Sequence, residues 1–258
     1  MSSAAIGREA STAERVGAPI VLGVVVVALW QLLAGSGLIE AYLLPSPLAI
    51  GQEIAEFLPS MLSAAGLTGL NALVGLLVGT LLGIVGALLA SATRLVDGML
   101  APVVAALSVV PIVALAPVLN SAFGADAQTG RQLIAALAAF VPVFINTARG
   151  LRQTRPVHRD LMRVYAASPW QTMRTITLRT AAPFTFTGIR LASSLAVISA
   201  LVAEYFGGPR GGLGGLISTS AASSAYARAW AYVVAAIVLG LVFYLVALAI
   251  ERLVSRRR

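Results

Sequence analysis

Apolar residues in this chain do not alternate with polar ones. They run in blocks of about 20, the length at which a helix crosses a hydrocarbon core, with short polar stretches between. The first block, Gly17 to Ala34, follows a polar stretch carrying Arg8, Glu9, Glu14 and Arg15. It is longer than a signal-peptide core and its flank is only weakly basic, so it reads as an uncleaved first span. Leu43-Leu44-Pro45-Ser46-Pro47 then turns the chain. Ile50, Ile54, Phe57 and Leu58 recur at helical spacing opposite Gln52, Glu53 and Glu56, which predicts a short helix lying on the membrane surface. A second span covers residues 63–90 and puts Gly75, Gly79 and Gly83 on one face, where a neighbouring helix can approach closely. The third, residues 98–122, contains Pro102, Pro111 and Pro117. Each interior proline removes a backbone donor, so this helix is predicted to be kinked or broken, and it is a candidate for lining a cavity. Further spans run from Arg131 to Ala148, Ala182 to Phe206 and Ala229 to Ile250. The fold class is therefore all-α: a polytopic membrane bundle of about six helices, with residues 17–250 as the membrane domain between polar tails at 1–16 and 251–258.

Composition agrees and removes several functions. Of 258 residues, 59% are hydrophobic and 11% charged, with a mean hydropathy of +0.91, too apolar for one soluble domain. Cysteine is absent, which excludes disulfides and thiolate metal sites. All 18 basic residues are arginine, so the Gly-Lys-Ser/Thr ending of a phosphate-binding P-loop cannot be formed and no ATPase of that kind resides here. A pI near 11 suggests nucleic acid, but the arginines flank membrane spans and no RNA-binding pattern accompanies them.

Their distribution instead orients the chain. With both termini in the cytosol, that side holds Arg8, Arg15, Arg94, seven arginines between 149 and 180, and Arg252, Arg256, Arg257 and Arg258. The other side holds Arg131, Arg210 and Arg228. The positive-inside rule selects this arrangement. Arg190 falls within the fifth span, either snorkelling to the interface or belonging to a polar internal path.

The arginine-rich segment has a local structure of its own. Arg159 to Ala166 contains no helix breaker. Ser168-Pro169 then offers an N-cap with proline in the first turn, so a second short helix is expected to run to about Leu178. Leu161, Val164, Tyr165, Trp170, Met173 and Ile176 are interspersed among the arginines. A solvated loop needs no such side chains, which points to docking of a cytosolic partner.

The run Asp160-Leu161-Met162-Arg163-Val164-Tyr165-Ala166-Ala167-Ser168-Pro169-Trp170-Gln171-Thr172, continuing through Ile176 and Leu178, resembles the cytosolic signature of binding-protein-dependent ABC importer permeases. That signature opens with Glu-Ala-Ala, has a glycine four residues further on, and closes with Ile-x-Leu-Pro. Here Asp160 stands for the glutamate, Ala166 for the glycine and Arg179 for the proline. Leu44-Pro45-Ser46-Pro47, Pro111 to Pro117, Ala203-Glu204 and Gly212-Leu213-Gly214 resemble the nitrate, sulfonate and taurine branch, which also contains importers of thiamine-precursor pyrimidines and riboflavin.

The resemblance implies a type I ABC importer permease in a bacterial cytoplasmic membrane, with two permease subunits, expected to be identical, enclosing the solute path. ATPase subunits would carry ATP and Mg, and an extracytoplasmic solute-binding protein would deliver the solute. This chain would bind no cofactor, metal or nucleic acid, and lipid would surround it. The ATPase-coupling residues implied are Asp160, Leu161, Val164, Tyr165, Ala166, Ser168, Trp170, Met173 and Ile176. Candidate path residues are Pro111, Pro117, Asn120, Asn146 and Glu204. Asn71, Asn120 and Asn146 equally suit bridges between helices, and Glu204 suits either interfacial exposure or a gate. The run Gly207 to Gly215 reads as a flexible loop, and His158 as an exposed loop residue. The alternative class is a secondary transporter or channel with no ATPase, for which only Arg190 and Glu204 are available as embedded ionisable groups.

Overall fold

The computed structural model describes residues 12–40, 42–124, 127–207 and 211–255. Expectations for residues 1–11, Asp126, Arg210 and Arg256 to Arg258 lie outside the described residues. Among the described residues all regular structure is helical. Four helices come first: α1 (Thr12–Gly35), α2 (Pro47–Ala92), α3 (Arg94–Val109) and α4 (Ile112–Phe123). Then come α5 (Thr129–Arg152), α6 (Pro156–Val164), α7 (Pro169–Thr172) and a π-helical turn (Met173–Thr177) that leads into α8 (Leu178–Gly207). The last two are α9 (Leu213–Ala222) and α10 (Tyr226–Ser255). Five helices are long and apolar enough to cross a membrane, and the α3–α4 pair makes a sixth crossing if taken as one span.

The expected surface helix and second span form one 46-residue element, bent at Phe57 where φ/ψ is −103/15. Ser46 caps it by accepting from the Ala49 N–H, with Pro47 in the first turn. The segment before the bend does not turn its apolar face to lipid. Ile50, Ile54 and Phe57 pack with Met61, Leu213 and Tyr232, because the bend lays this segment against α9 and α10. Arg228 of α10 holds the bend from outside: its guanidinium stacks 3.7 Å from the Phe57 ring centroid and its Nε donates to Glu53 at 2.8 Å.

Only one of three prolines breaks the third span. Pro102 and Pro117 lie inside helices, whereas Val110 before Pro111 is extended and the two halves meet at 102°. The pair still runs from one end of the bundle to the other. Asp97 near its start pairs with Arg152 at the end of α5, while Asn120 near its finish donates to the Ala203 carbonyl at the opposite end of α8. It is therefore a broken span and not a re-entrant loop.

α5 is the centre, packed between α2 and α8. Small residues make this possible. A Cβ at Gly75 would lie 2.4 Å from Ala135 Cβ, and one at Gly79 would lie 2.4 Å from the Ala136 carbonyl oxygen. The close approach expected of this glycine face is thus made by α2 on α5, and dispersion across it replaces the hydrophobic drive that lipid cannot supply. α10 closes onto α8 through a polar clasp. Arg190 Nε lies 3.2 Å from Glu251 Oε2 as an ion pair without an aligned hydrogen bond, and Thr187 donates to Glu251 Oε1 at 3.0 Å. Arg190 is thus engaged by its neighbour helix. α1 touches the rest mainly at its end, where Trp30 Nε1 donates to the Pro45 carbonyl and Gln31 accepts from the Leu48 N–H.

Gly79→Ala should lower the thermal midpoint of the detergent-solubilised protein by several degrees, because overpacking this contact costs about 2 kcal/mol. Gly66→Ala, on the same helix with no heavy atom within 4 Å of the added carbon, should leave the midpoint unchanged.

Candidate functional site

The arginine-rich segment folds into an elbow at one end of the bundle. Pro156 opens α6 three residues earlier than its arginine pattern suggests, because proline is favoured in a first turn. α6 ends in a paired hydrogen-bond closure: Ala166 N–H donates to the Arg163 carbonyl and Ala167 N–H to the Met162 carbonyl, both at 2.9 Å. That closure requires a left-handed residue, and Ala166 supplies it at φ 50. This is the position where the resembling signature carries glycine. Ser168 then begins α7 with a reciprocal cap. Its hydroxyl accepts from the Gln171 N–H at 3.2 Å, and its own N–H donates to Gln171 Oε1 at 2.7 Å. The predicted cap is therefore present.

The second short helix does not stop near Leu178. α7 continues through the π turn directly into α8, since Arg179 in place of a proline leaves no breaker before Pro183. Around the elbow, Val164 is 82% exposed, Tyr165 74%, Trp170 69% and Leu161 49%, so apolar surface faces outward from both helices. Ser168 and Asp160 are spent locally, on the cap and on an exposed pair with Arg163. Met173 and Ile176 are half-buried, and Met173 packs toward Ala87, Phe144 and Ala181. His158 is exposed as expected, but on α6 and not in a loop.

At the opposite end lies a buried polar cluster. Glu204, in the last turn of α8, is 2% exposed, which overturns the expectation of an interfacial carboxylate. Its Oε2 accepts from the Thr68 hydroxyl at 2.8 Å and from the Gly214 N–H at 3.1 Å. Asn71 Nδ2 reaches its Oε1 at 3.4 Å. Thr68 Oγ1 in turn accepts from the Leu213 N–H at 2.9 Å. Asn71 extends the chain of contacts to α5, donating to Gln128 Oε1 and accepting from Gln132 Nε2. Arg131, which also donates to Gln128, is fully buried at the start of its span and places its charge near Glu204. The glycine run is likewise ordered from Gly212: Gly212, Leu213, Gly214 and Gly215 are all buried and open α9. A flexible loop was expected because glycine spacing alone does not reveal a carboxylate packed beneath it.

The five candidate path residues do not converge. Glu204 and Asn120 are buried in helix contacts, Asn120 bridging α4 to α8. Asn146 is half-buried and donates to Pro142 of its own helix at 2.8 Å, while Asn71 joins α2 to α5 and α8. Pro111 and Pro117 are exposed. A cavity of about 520 Å³ lies between α3 and α5 at the elbow end, lined by Val104, Ser108, Phe144, Ile145, Arg149 and Arg152 among others, with none of the five. Thr68, Gln128 and Gln132 were not singled out in the sequence, and Arg131 was read there only for span and orientation. Their signal was one-turn spacing of polar residues at the ends of facing spans, which loop assignment had absorbed.

Residues 75–258 match the family model described as "Binding-protein-dependent transport system inner membrane component". The chain is 31% identical over 193 residues to a "Probable ABC transporter permease protein" of Haemophilus influenzae, covering 75% of this chain and 78% of that one. It is 32% identical over 163 residues to the riboflavin transport system permease protein RibX of Chloroflexus aurantiacus, covering 63% and 60%. The fold is that of the crystal structure of an amino acid ABC transporter with histidines, with a TM-score of 0.65 at 14% identity, covering 77% of this chain and 96% of the solved one. A helical bundle and a family-model match over most of its length lead to one conclusion: the chain belongs to the family of binding-protein-dependent transport system inner membrane components, and it is a multi-pass ABC importer permease subunit.

Proposed function

We propose that the elbow of α6 and α7 is where a separate ATPase docks, and that two copies of this chain enclose the solute path. The observation that carries this reading is the outward display of Val164, Tyr165 and Trp170 on an otherwise arginine-rich segment. Aromatic and aliphatic side chains at such a tip suit insertion into a groove, and the surrounding arginines suit acidic groups at its rim. ATP and Mg belong on the partner. An external binding protein delivers a small organic or inorganic solute to the opposite face, and its selection sets specificity. Both chain termini lie in the cytosol with the elbow, as the arginine distribution requires.

Closure of the ATPase pair on ATP displaces the elbow, and the displacement switches the path between faces. Leu161, Val164, Tyr165 and Trp170 form the grip. Asp160, Ala166 and Ser168 shape it, and Met173 and Ile176 seat it on the bundle. For the path we assign the open face of α4, where Pro111, Pro117 and Val118 are exposed while Ala116 and Asn120 anchor the other face.

Three measurements test these assignments. Val164→Glu and Trp170→Glu should each cut ATP-driven uptake in proteoliposomes by about tenfold, a coupling loss of roughly 1.4 kcal/mol, with the protein still inserted. Full uptake by both variants would rule out docking at the elbow. Ala166→Gly removes a left-handed alanine and should stabilise the elbow by about 1 kcal/mol, read as slower amide exchange at residues 166–168; unchanged or faster exchange counts against the turn geometry. Val118→Asn should change transport more than Leu22→Asn on α1, the two side chains being 62% and 64% exposed. Equal effects would remove α4 from the path.

A further inference from the structure

The elbow and the buried carboxylate lie on one element. From Pro169 to Gly207 the chain is a single helical run of 39 residues, about 58 Å at the ordinary helical rise. Trp170 stands exposed in its first turn and Glu204 is buried in its last. Between them, α8 is pressed onto α5. A Cβ at Gly188 would lie 2.9 Å from the Pro142 carbonyl oxygen, and one at Gly150 would lie 2.8 Å from Phe184 Cβ. Contacts this close do not slide without separating the helices.

The far end of the run is fastened by its own carboxylate. Glu204 takes donors from two other elements, α2 through Thr68 and Asn71 and α9 through the Gly214 N–H, and Asn71 carries the contact on to Gln128 and Gln132 of the α5 entry. The glycines of Gly212-Leu213-Gly214 are explained by the same group. A Cβ at Gly212 would fall 2.3 to 2.6 Å from the Glu204 carboxylate atoms, and one at Gly214 would fall 2.2 Å from the Leu201 carbonyl oxygen. The glycine-rich run is thus a cradle for an internal carboxylate at the start of α9, where N–H groups point outward from the helix end. Nothing in the transport role of a multi-helix permease by itself requires a carboxylate to be buried here.

We propose that Glu204 is a positioning residue: it locks the far end of the α7–α8 rod to α2, α5 and α9, so that displacement of the elbow reaches the far face as one rigid movement that also carries α9. The far face is where a delivering protein would act, so the lock lets events at either face bias the other. The inference rests on the docking reading given above.

The test uses the full transporter, permease with its ATPase and binding protein, in proteoliposomes. Glu204→Gln puts an amide among donors, and Thr68→Val keeps the volume while removing the hydroxyl that serves both Glu204 and Leu213. Thr68→Ser keeps that hydroxyl. In Glu204→Gln and Thr68→Val, stimulation of ATP hydrolysis by the loaded binding protein should fall about tenfold, while unstimulated hydrolysis stays within about twofold and the complex remains assembled. Thr68→Ser should behave as the unaltered chain. Retained stimulation in both Glu204→Gln and Thr68→Val overturns the proposal. So does a parallel fall of unstimulated hydrolysis and assembled complex, which would make the cluster a packing feature only. An unaltered chain that assembles with no ATPase overturns the docking reading and the rod with it.

Discussion

The hydrocarbon interior offers no hydrogen-bond partner, so polar groups buried in the bundle turn to the chain itself, and much of the architecture follows from that demand, the Thr80 and Thr147 hydroxyls being exceptions. Glu204 is met by α2 and α9, Arg131 and Asn71 by Gln128, and Glu251 by Arg190 and Thr187. The pairings of Glu204, Asn71 and Glu251 join different elements, whereas Arg131 and Gln128 sit three residues apart at the start of α5. Satisfying the polar groups and tying the bundle together are therefore largely one requirement.

The apolar contacts obey a different rule. Lipid is as apolar as leucine, so burying leucine between helices gains little, and the tight contacts here are built from glycine and alanine instead. Gly75 and Gly79 on Ala135 and Ala136 hold α2 against α5, and Gly188 and Gly150 hold α5 against α8. Large side chains such as Leu22, Leu77, Leu241 and Leu245 are left on the outside of the bundle. α1 contributes almost no buried surface and is joined to the rest by Trp30 and Gln31 at its end.

Block length and small-residue spacing made most of the fold legible in the sequence: the spans, the glycine face of α2, the break within the third span and the cap at Ser168 all follow from local chemistry. Long-range pairing was not legible. Arg190 and Glu251 are 61 positions apart, and Thr68 and Glu204 are separated by 136. Neither residue type announces its partner, so the sequence left Arg190 between snorkelling and an internal path, and Glu204 between interfacial exposure and a gate. The elbow shows the same division. Ser168 and Gln171 state their cap locally, but the continuation of α7 into α8 depends on the absence of a breaker over many residues. The left-handed turn at Ala166 was visible only through resemblance to a signature with glycine there.

We propose that the exposed apolar tip of the elbow grips an ATPase and that the helix beginning there drives the bundle. A photo-crosslinking residue placed at position 170, with a second placed at position 22 on α1 as reference, tests it most directly in membranes containing the whole transporter. The ATPase subunit should be captured from position 170 and not from position 22, and capture should change between the ATP-bound and nucleotide-free states. Absence of the ATPase from the position 170 adducts, with solute uptake by the purified chain proceeding without ATP, would contradict it.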